Sequence, residues 1–495
     1  MVVKGVDSKL IVTKFAMYGY NLHPSAVQLL KQMPLKKIDL ILNKLKSRSL
    51  GFIITAEDLI PIIEEIEKKE KVKETTASKV KKSKVEKAIK YSDVEIIKDI
   101  TGSSYSQGTV NDFIVYFNSR YEKISKILRN RIKHYPISSI KKLKMEKVEL
   151  IGMVSDVRTT QSGNALIEIE DPTGRIPVIA TGKLREIALE LVGDEVIGIS
   201  GTLRGNTIIA DRIVFPDVPY NNNSSEKKLK KDFSILFLSD THFGSKTFLK
   251  KEWNLLVKWL NFEIEDKNFE KLAEKIKYII IAGDIIDGVG IYPEQENDLE
   301  ILDIYQQYEF AAENIDKIPK NIKIIISPGN HDAVRQAEPQ PAIPSEYSNL
   351  FPNNVIFLGN PALIKVDGIK ILIYHGRSFD DLVSKIPRLT YSRPTELMEE
   401  LLKRRHLAPM YGGKTPIAPE KEDYLVIDEI PDILHTGHIH TVGTGFYKGI
   451  FLVNSGCWQS QTPFQRKINL NPTPGVVIVY TPYGAVHKIN FYRNT

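Results

Sequence analysis

Cysteine is nearly absent from this 495-residue chain. A single cysteine, Cys457, rules out an internal disulfide framework and a thiolate-built zinc or iron–sulfur site. Any metal is therefore left to imidazole, carboxylate and amide groups. Long apolar runs are missing too: nowhere do the roughly 18 apolar residues needed to cross a membrane follow one another. Near the start, Lys4 and Lys9 precede a broken apolar pattern without a small-residue cleavage site, which does not read as a signal peptide and implies the cytoplasm. A general basic excess is also lacking. The chain has 68 basic and 61 acidic residues, a net +7, while Lys68 to Lys90 alone holds ten Lys and three Glu, again +7. The remainder is formally neutral, so the basic pI does not by itself argue that the rest grips nucleic acid.

What is present is an ordinary globular composition, 42% apolar and 26% charged, in a chain long enough for two to four domains. Residues 1–66 place apolar and basic side chains at helical spacing, as in Ala26-Val27-Gln28-Leu29-Leu30 and Ile38 to Leu45, and read as a helical accessory domain. Residues 67–94 have few bulky apolar groups to offset the entropy of ordering and read as a flexible basic linker. Residues 95–147 read as a helical connector, with a helix across Asp112 to Ile132 that returns Phe113, Tyr116, Phe117, Tyr121, Ile124, Ile127 and Leu128 to one side. Residues 148–220 alternate like short strands, with turns at Gln161-Ser162-Gly163-Asn164, Asp171-Pro172-Thr173-Gly174 and Leu203-Arg204-Gly205-Asn206. This pattern fits a five-stranded OB-like barrel, either a single-strand binder or a spacer, with no aromatic stripe to decide between them. Residues 230–495 alternate apolar strands with helical stretches around Leu249 to Phe262 and Asp303 to Ile315, then turn to strands, including Tyr424 to Ile427. The expected fold class is α/β: a helical N-terminal module, an OB-like barrel, and an α/β sandwich.

Five polar clusters carry the chemistry: Asp240-Thr241-His242, Gly283-Asp284, Gly329-Asn330-His331-Asp332, His375-Gly376 and Gly437-His438-Ile439-His440. Most follow runs that suit buried strands, such as Ile235 to Leu238, Ile279 to Ile281, Ile324 to Ile326 and Ile371 to Tyr374, so strand ends deliver the polar groups. Gly283 lets the backbone turn and bring Asp284 inward. A carboxylate lowers the repulsion between two cations, which makes Asp284 the candidate bridge. Asn330 offers an amide oxygen, and His375, His438 and His440 offer nitrogens. Such a mixed N/O set without sulfur suits Mn²⁺, Fe²⁺ or Zn²⁺ better than an all-oxygen Mg²⁺ site. His438 and His440 share one cavity if Ile439 points into the core.

The clusters, in this order, resemble the calcineurin-like metallophosphoesterase superfamily. The resemblance implies one metal on Asp240, His242, Asp284 and His440, a second on Asp284, Asn330, His375 and His438, and His331 as the nonligating histidine near the reacting phosphate. Over residues 95 to 495 the chain is similar to the small-subunit family of archaeal family D DNA polymerases. That likeness rests on Phe113 to Tyr121, Gly329 to Pro341, Lys403 to Pro409 with Tyr411-Gly412, Pro431 to His440, and Asn454 to Gln459.

The resemblance implies a 3′–5′ proofreading exonuclease acting on single-stranded or mismatched 3′ ends with two divalent metals. Mn²⁺ is favoured, with Mg²⁺, Fe²⁺ or Zn²⁺ as alternatives. It further implies a heterodimer with a large catalytic polymerase subunit, contact with a sliding clamp through that complex, and association with the nucleoid. Arg335, Arg377, Arg404 and Arg405 are candidate phosphate-positioning residues. The rival readings are a noncatalytic structural polymerase subunit, a double-strand-break repair nuclease of the same superfamily, and a phosphatase. Cys457 reads as core packing rather than catalysis, and Trp458 and Phe464 as either a partner anchor or core closure.

Overall fold

The computed structural model describes residues 8–16, 21–31, 33, 35–45, 53–56, 58–63, 93–143, 146–220, 233–462, 465–466, 470–482 and 485–492. The chain divides into two compact units, residues 1–91 and 92–495. Most of the expected basic linker lies outside the described residues.

In the first unit, helices Ser8–Ala16, Pro24–Leu30 and Leu35–Leu45 bury Ile11, Phe15, Leu30, Ile41 and Leu45 in one core with Ile54, Leu59 and Ile62. A two-stranded parallel ladder, Asn21–Leu22 with Ile53–Ile54, joins them. Helix Pro24–Leu30 starts with proline at its first turn, where a missing N–H costs nothing, and His23 caps it by accepting from Ser25 N–H.

The second unit begins with a strand, Val94–Asp99, where the sequence reading expected a helical connector. It runs antiparallel to Ala362–Val366 and becomes the edge of a sheet. The expected helix follows at Val110–Leu128, with Thr109 and Asp112 closing a reciprocal capping box. Its apolar side, Tyr121, Ile124 and Leu128, packs on Ile151, Met153 and Val196 of a closed five-stranded barrel. The barrel strands are Lys147–Thr159, Ala165–Asp171, Gly174–Ala180, Val196–Arg204 and Thr207–Val214. Alternation along Ala165–Asp171 sends Ala165, Ile167 and Ile169 inward and leaves the intervening residues partly exposed.

The remainder is two facing six-stranded sheets. One has the spatial order Val355–Phe357, Lys323–Ser327, Ile276–Ala282, Ser234–Leu238, Val476–Tyr480, Val486–Asn490. The other runs Gly443–Tyr447, Ile450–Asn454, Ile433–Thr436, Ile369–Ile373, Ala362–Val366, Val94–Asp99. Period-two alternation splits each strand between layers. Phe237, Ile280, Ile325, Ile371, Ile433 and Phe451 meet between the sheets. Leu236, Ile279 and Ile324 face Trp253, Leu256 and Tyr308 of helices Lys250–Leu260 and Ile304–Asp316. On the opposite side, Leu372, Leu434 and Leu452 face Leu382, Leu397 and Leu401 of helices Phe379–Lys385 and Pro394–Arg404. The result is a calcineurin-like α/β sandwich joined to an OB-like barrel.

The expected strand at Tyr424 to Ile427 does not form. There Leu425 and Ile427 bond irregularly to residues 405–407, with Leu407 N–H on Leu425 O and Ile427 N–H on Arg405 O, leaving a single bridge at Val426. Trp458 is fully buried against Trp253, with ring centroids 5.0 Å apart, so it closes the core. Phe464 lies outside the described residues.

Candidate metal centre

All five polar clusters leave the C-terminal ends of parallel strands. Asp240 and His242 follow Ser234–Leu238, Asp284 follows Ile276–Ala282, and Asn330 and His331 follow Lys323–Ser327. His375 follows Ile369–Ile373, and His438 and His440 follow Ile433–Thr436 in the facing sheet. Each sheet contributes where its parallel strands stop, the usual place for a ligand crevice in α/β folds.

The turns are tight. Asp240, His242, Asp284, His438 and His440 all adopt positive φ, between 46° and 69°, a region that costs a non-glycine residue energy and persists where surroundings enforce it. The enforcing bonds are visible: Asp240 N–H donates to Gly283 O (3.0 Å), His242 N–H to Asp284 O (3.0 Å), and His438 N–H to both Asp240 oxygens (3.1 Å). Gly283, at φ +88°, has no room for a side chain because a Cβ would run into the His375 ring.

Three groups of donor atoms result among the described residues, each with its atoms within 4.8 Å of one another: Asp240/His242/His440 and Asp284/His375/His438, which hold the expected ligands, and His242/Asp287/His331 beside them. His440 Nε2 lies 3.4 Å from Asp240 Oδ1 and 3.1 Å from His242 Nε2. Asp284 Oδ2 lies 3.2 Å from His375 Nε2 and 4.0 Å from His242 Nε2, so it stands between the groups. Asn330 Oδ1 is 3.0 Å from His375 Nε2. Ile439 is buried in the apolar layer, turning His438 and His440 the other way.

Two rings have their protons placed by acceptors that cannot donate. His375 Nδ1 is 2.8 Å from Ala282 O and His331 Nδ1 is 2.7 Å from Asp287 O, so each ring donates from Nδ1 and turns Nε2 to the cluster. Burial opposes ionisation of Asp284, but the imidazoles of His375, His331 and His242 outweigh it and hold its pKa well below the usual carboxylate range. Burial likewise opposes charge on His375, and the Asp284 carboxylate prevails, raising its pKa to about 9. For His440, Cys457 and Asp240 overcome burial and hold the ring well above its ordinary value. Buried carboxylates thus draw positive charge onto their neighbours. The donor set, carboxylate and amide oxygens with four imidazole nitrogens and no sulfur, fits two divalent cations.

Three supporting residues, Asp287, Asp380 and Gln465, escaped the sequence reading, and Asp332 of the third cluster had no role assigned to it. Asp287 binds His242 Nδ1 (2.8 Å) through its carboxylate and His331 through its carbonyl, orienting both rings. Its position three residues after Asp284, inside an apolar stretch, was a legible signal. Asp332 accepts N–H bonds from Ile285, Ile286 and Gly329, tying the third cluster to the second; burial and then the Asp284 charge push its pKa up to about 6. Asp380 Oδ2 lies 3.3 Å from His438 Nε2. Burial would raise its pKa, but the His438 charge leads the groups that lower it to about 2. Gln465 contacts His440 Nδ1 at 2.8 Å from twenty-five residues away, a pairing that no local pattern announces.

The arginines separate. Arg377 lies beside the third cluster, bonded to Gln336 O and Oε1 (2.9 Å each), and Arg335 bonds Glu420 (2.8 Å) and Pro339 O. Arg404 and Arg405 are corrections. Arg404 is buried against Glu195 (3.1 Å) and Glu400, and Arg405 is buried on the carbonyls of Ile427 (2.6 Å) and Asp428 (2.9 Å). Both guanidinium groups are buried on partners inside the protein, away from any approaching phosphate. Cys457 is buried, its sulfur donating to Gln459 O.

Comparison with known proteins adds a family to this geometry. Residues 235–442 match the family of DNA polymerase alpha/epsilon B subunits. A DNA polymerase II small subunit of Archaeoglobus fulgidus is 53% identical over 99% of this chain and 100% of its own length. One from Methanothermobacter thermautotrophicus is 42% identical over 95% of this chain and 97% of its own. Among solved structures, a novel archaeal phosphodiesterase aligns with 52% of this chain and 99% of its own at 13% identity, with a TM-score of 0.28.

Proposed function

Because the chain belongs to the DNA polymerase II small-subunit family of archaea, we propose that it is the proofreading 3′–5′ exonuclease of a two-subunit replicative polymerase, paired with a large catalytic subunit and reaching a sliding clamp through that complex. The observation that carries the reading is the convergence of Asp240, His242, Asp284, Asn330, His375, His438 and His440 at one crevice. A structural subunit has no use for so many buried, strained donors.

Two divalent ions, with Mn²⁺ favoured, would be held by Asp240, His242, Asp284 and His440 and by Asp284, Asn330, His375 and His438, and would supply Lewis-acid polarisation of the phosphoryl group and an acidified water. The chain's own residues do the rest. Asp284, between the donor groups, serves both. His331, partly buried at the rim with Nδ1 donating to Asp287 O, presents Nε2 to the crevice and, as the doubly protonated ring, gives up its Nε2 proton to the departing 3′ oxygen, becoming neutral. Asp287 keeps that ring and His242 in register. Arg377 and Arg335 position the phosphate backbone. Proofreading then follows from strand access, since a mismatched end frays into single strand more readily than a paired one.

The test uses 5′-labelled single strands, paired primers and 3′-mismatched primers, with the chain alone and with its large partner. Shortening from the 3′ end, fastest on unpaired termini and abolished by EDTA, is the expected result. In His331→Ala, hydrolysis should fall by about 10²- to 10⁴-fold while metal content is retained. Undiminished cleavage in that variant would remove His331 from its role.

A further inference from the structure

One segment beside the donor groups has no part in the chemistry above. Residues 411–415, Tyr-Gly-Gly-Lys-Thr, are pinned at both ends by carboxylates. Tyr411 N–H donates to Asp194 of the barrel–sandwich junction (2.9 Å). Lys414 N–H and Thr415 N–H donate to the two oxygens of Asp381 (2.5 and 3.2 Å). Gly413 passes so close to Asp381 that a Cβ would overlap its carboxylate, while Gly412 takes φ +76°. Asp381 directly follows Asp380, the residue beside His438, so one helix start holds both the loop and the edge of the donor cluster.

The pinned loop displays two unlike groups. Tyr411 is 46% exposed as a residue, yet its ring is held by T-shaped contacts with Phe113 (5.0 Å) and Phe117 (5.6 Å), which fix its orientation. The Lys414 side chain is exposed and close enough to Asp380 for their charges to interact. A fixed ring with a cation three residues along is the pairing that sequence-tolerant single-strand sites use, bases stacking while phosphates are neutralised. It also meets a local need, because the crevice is rich in carboxylates and a phosphate backbone approaching it requires a compensating cation.

We propose that residues 411–415 are a strand-guiding loop, in which Tyr411 stacks on a base and Lys414 pairs with a backbone phosphate of single-stranded DNA whose 3′ end lies at the Asp284/His375/His438 group. The direction of the strand rests on the exonuclease reading; the binding does not.

The test is equilibrium binding of a labelled oligothymidylate of roughly 12 nucleotides to the full chain in EDTA, across a salt series. Lys414→Ala is expected to weaken binding about tenfold and to flatten the dependence of log Kd on log salt by about 0.7, the value for one phosphate contact on a single strand. Tyr411→Ala should weaken binding about tenfold with the salt slope unchanged, as loss of one stacked base predicts. Lys414→Arg and Tyr411→Phe should restore near-wild-type affinity, which a folding defect would not allow. Wild-type affinity and slope in both alanine variants, or no binding by the wild type, overturns the proposal. A wild type that binds in this manner but hydrolyses no 3′ end overturns the exonuclease reading and leaves the loop standing.

Discussion

Two polar regions are buried in the second unit, and they are built on opposite principles. In the junction of helix, barrel and sandwich, Arg120 donates to Asp423 (2.8 Å), to Tyr116 (3.0 Å) and to the carbonyls of Asp194 (3.2 Å) and Pro409 (2.5 Å). His406 adds a second bond to Asp423 (2.8 Å). One permanent cation there meets one carboxylate and a set of acceptors chosen to saturate it. In the crevice, by contrast, the ionisable partners of Asp240, Asp284 and Asp287 are imidazoles, and five of the contributing residues hold strained backbone. Burial of charge is tolerated in both regions, beside a permanent cation in the first and beside titratable imidazoles in the second. A network closed around a permanent cation is an anchor; a cluster of carboxylates and imidazoles without one is a candidate metal site.

The comparison is broken most forcefully at Asp284, whose carboxylate stands between the donor groups. Asp284→Asn is expected to lower 3′-end hydrolysis by about 10³-fold or more, with metal content by elemental analysis falling as well. A variant that kept both would leave the crevice without its central carboxylate. Next in size is Arg120→Ala, which leaves Asp423 buried without its cation and should cost about 3–5 kcal/mol in unfolding free energy, read by denaturant titration of the folded chain.

A smaller effect concerns pH. Burial, helped by the neighbouring Arg120, lowers the His406 pKa to about 4, so the folded ring is neutral and donates to an ionised Asp423. Unfolded, the ring takes its proton near 6.5. The unfolded state therefore binds more protons between these values, and stability is lost as pH falls from about 6.5 to 4, by at most about 3 kcal/mol. In His406→Gln that part of the acid dependence should flatten when melting temperature is followed against pH. The smallest effect is expected at Lys147–Asp211 (3.1 Å), an ion pair on the barrel with both side chains largely exposed. Lys147→Ala should shift stability by less than about 1 kcal/mol, and a shift as large as that of Arg120→Ala would erase the distinction between buried and solvated pairs.

The seven donors were legible because most of their clusters lie within a few residues of a run of Ile, Leu or Phe, where strand periodicity places them near a strand end. Asp287 carried a local signal in its spacing from Asp284, while Gln465 and Asp380 carried none, since their partners are distant in the chain. The arginines failed for a general reason. Lys403-Arg404-Arg405 looks like a solvated basic patch in one dimension, yet Arg404 sits at the C-terminal turn of its helix facing Glu195 of the barrel, and Arg405 turns onto carbonyls. Tyr424 to Ile427 failed similarly, since alternation permits a strand but its partner, residues 405–407, pairs with it over a single bridge.

By itself the sequence determined which residues alternate, which strands end in polar groups, where glycine frees a turn, and that sulfur takes no part in holding a metal. These are properties of nearest neighbours along the chain and follow from local stereochemistry. Only the tertiary structure decided which carboxylates and imidazoles share a crevice, that Asp287 orients two rings, that Arg404 and Arg405 are buried, and that the 411–415 loop is pinned between barrel and sandwich. Those outcomes depend on distances between residues far apart in the chain, which the packing of two sheets and a barrel sets and no local pattern contains.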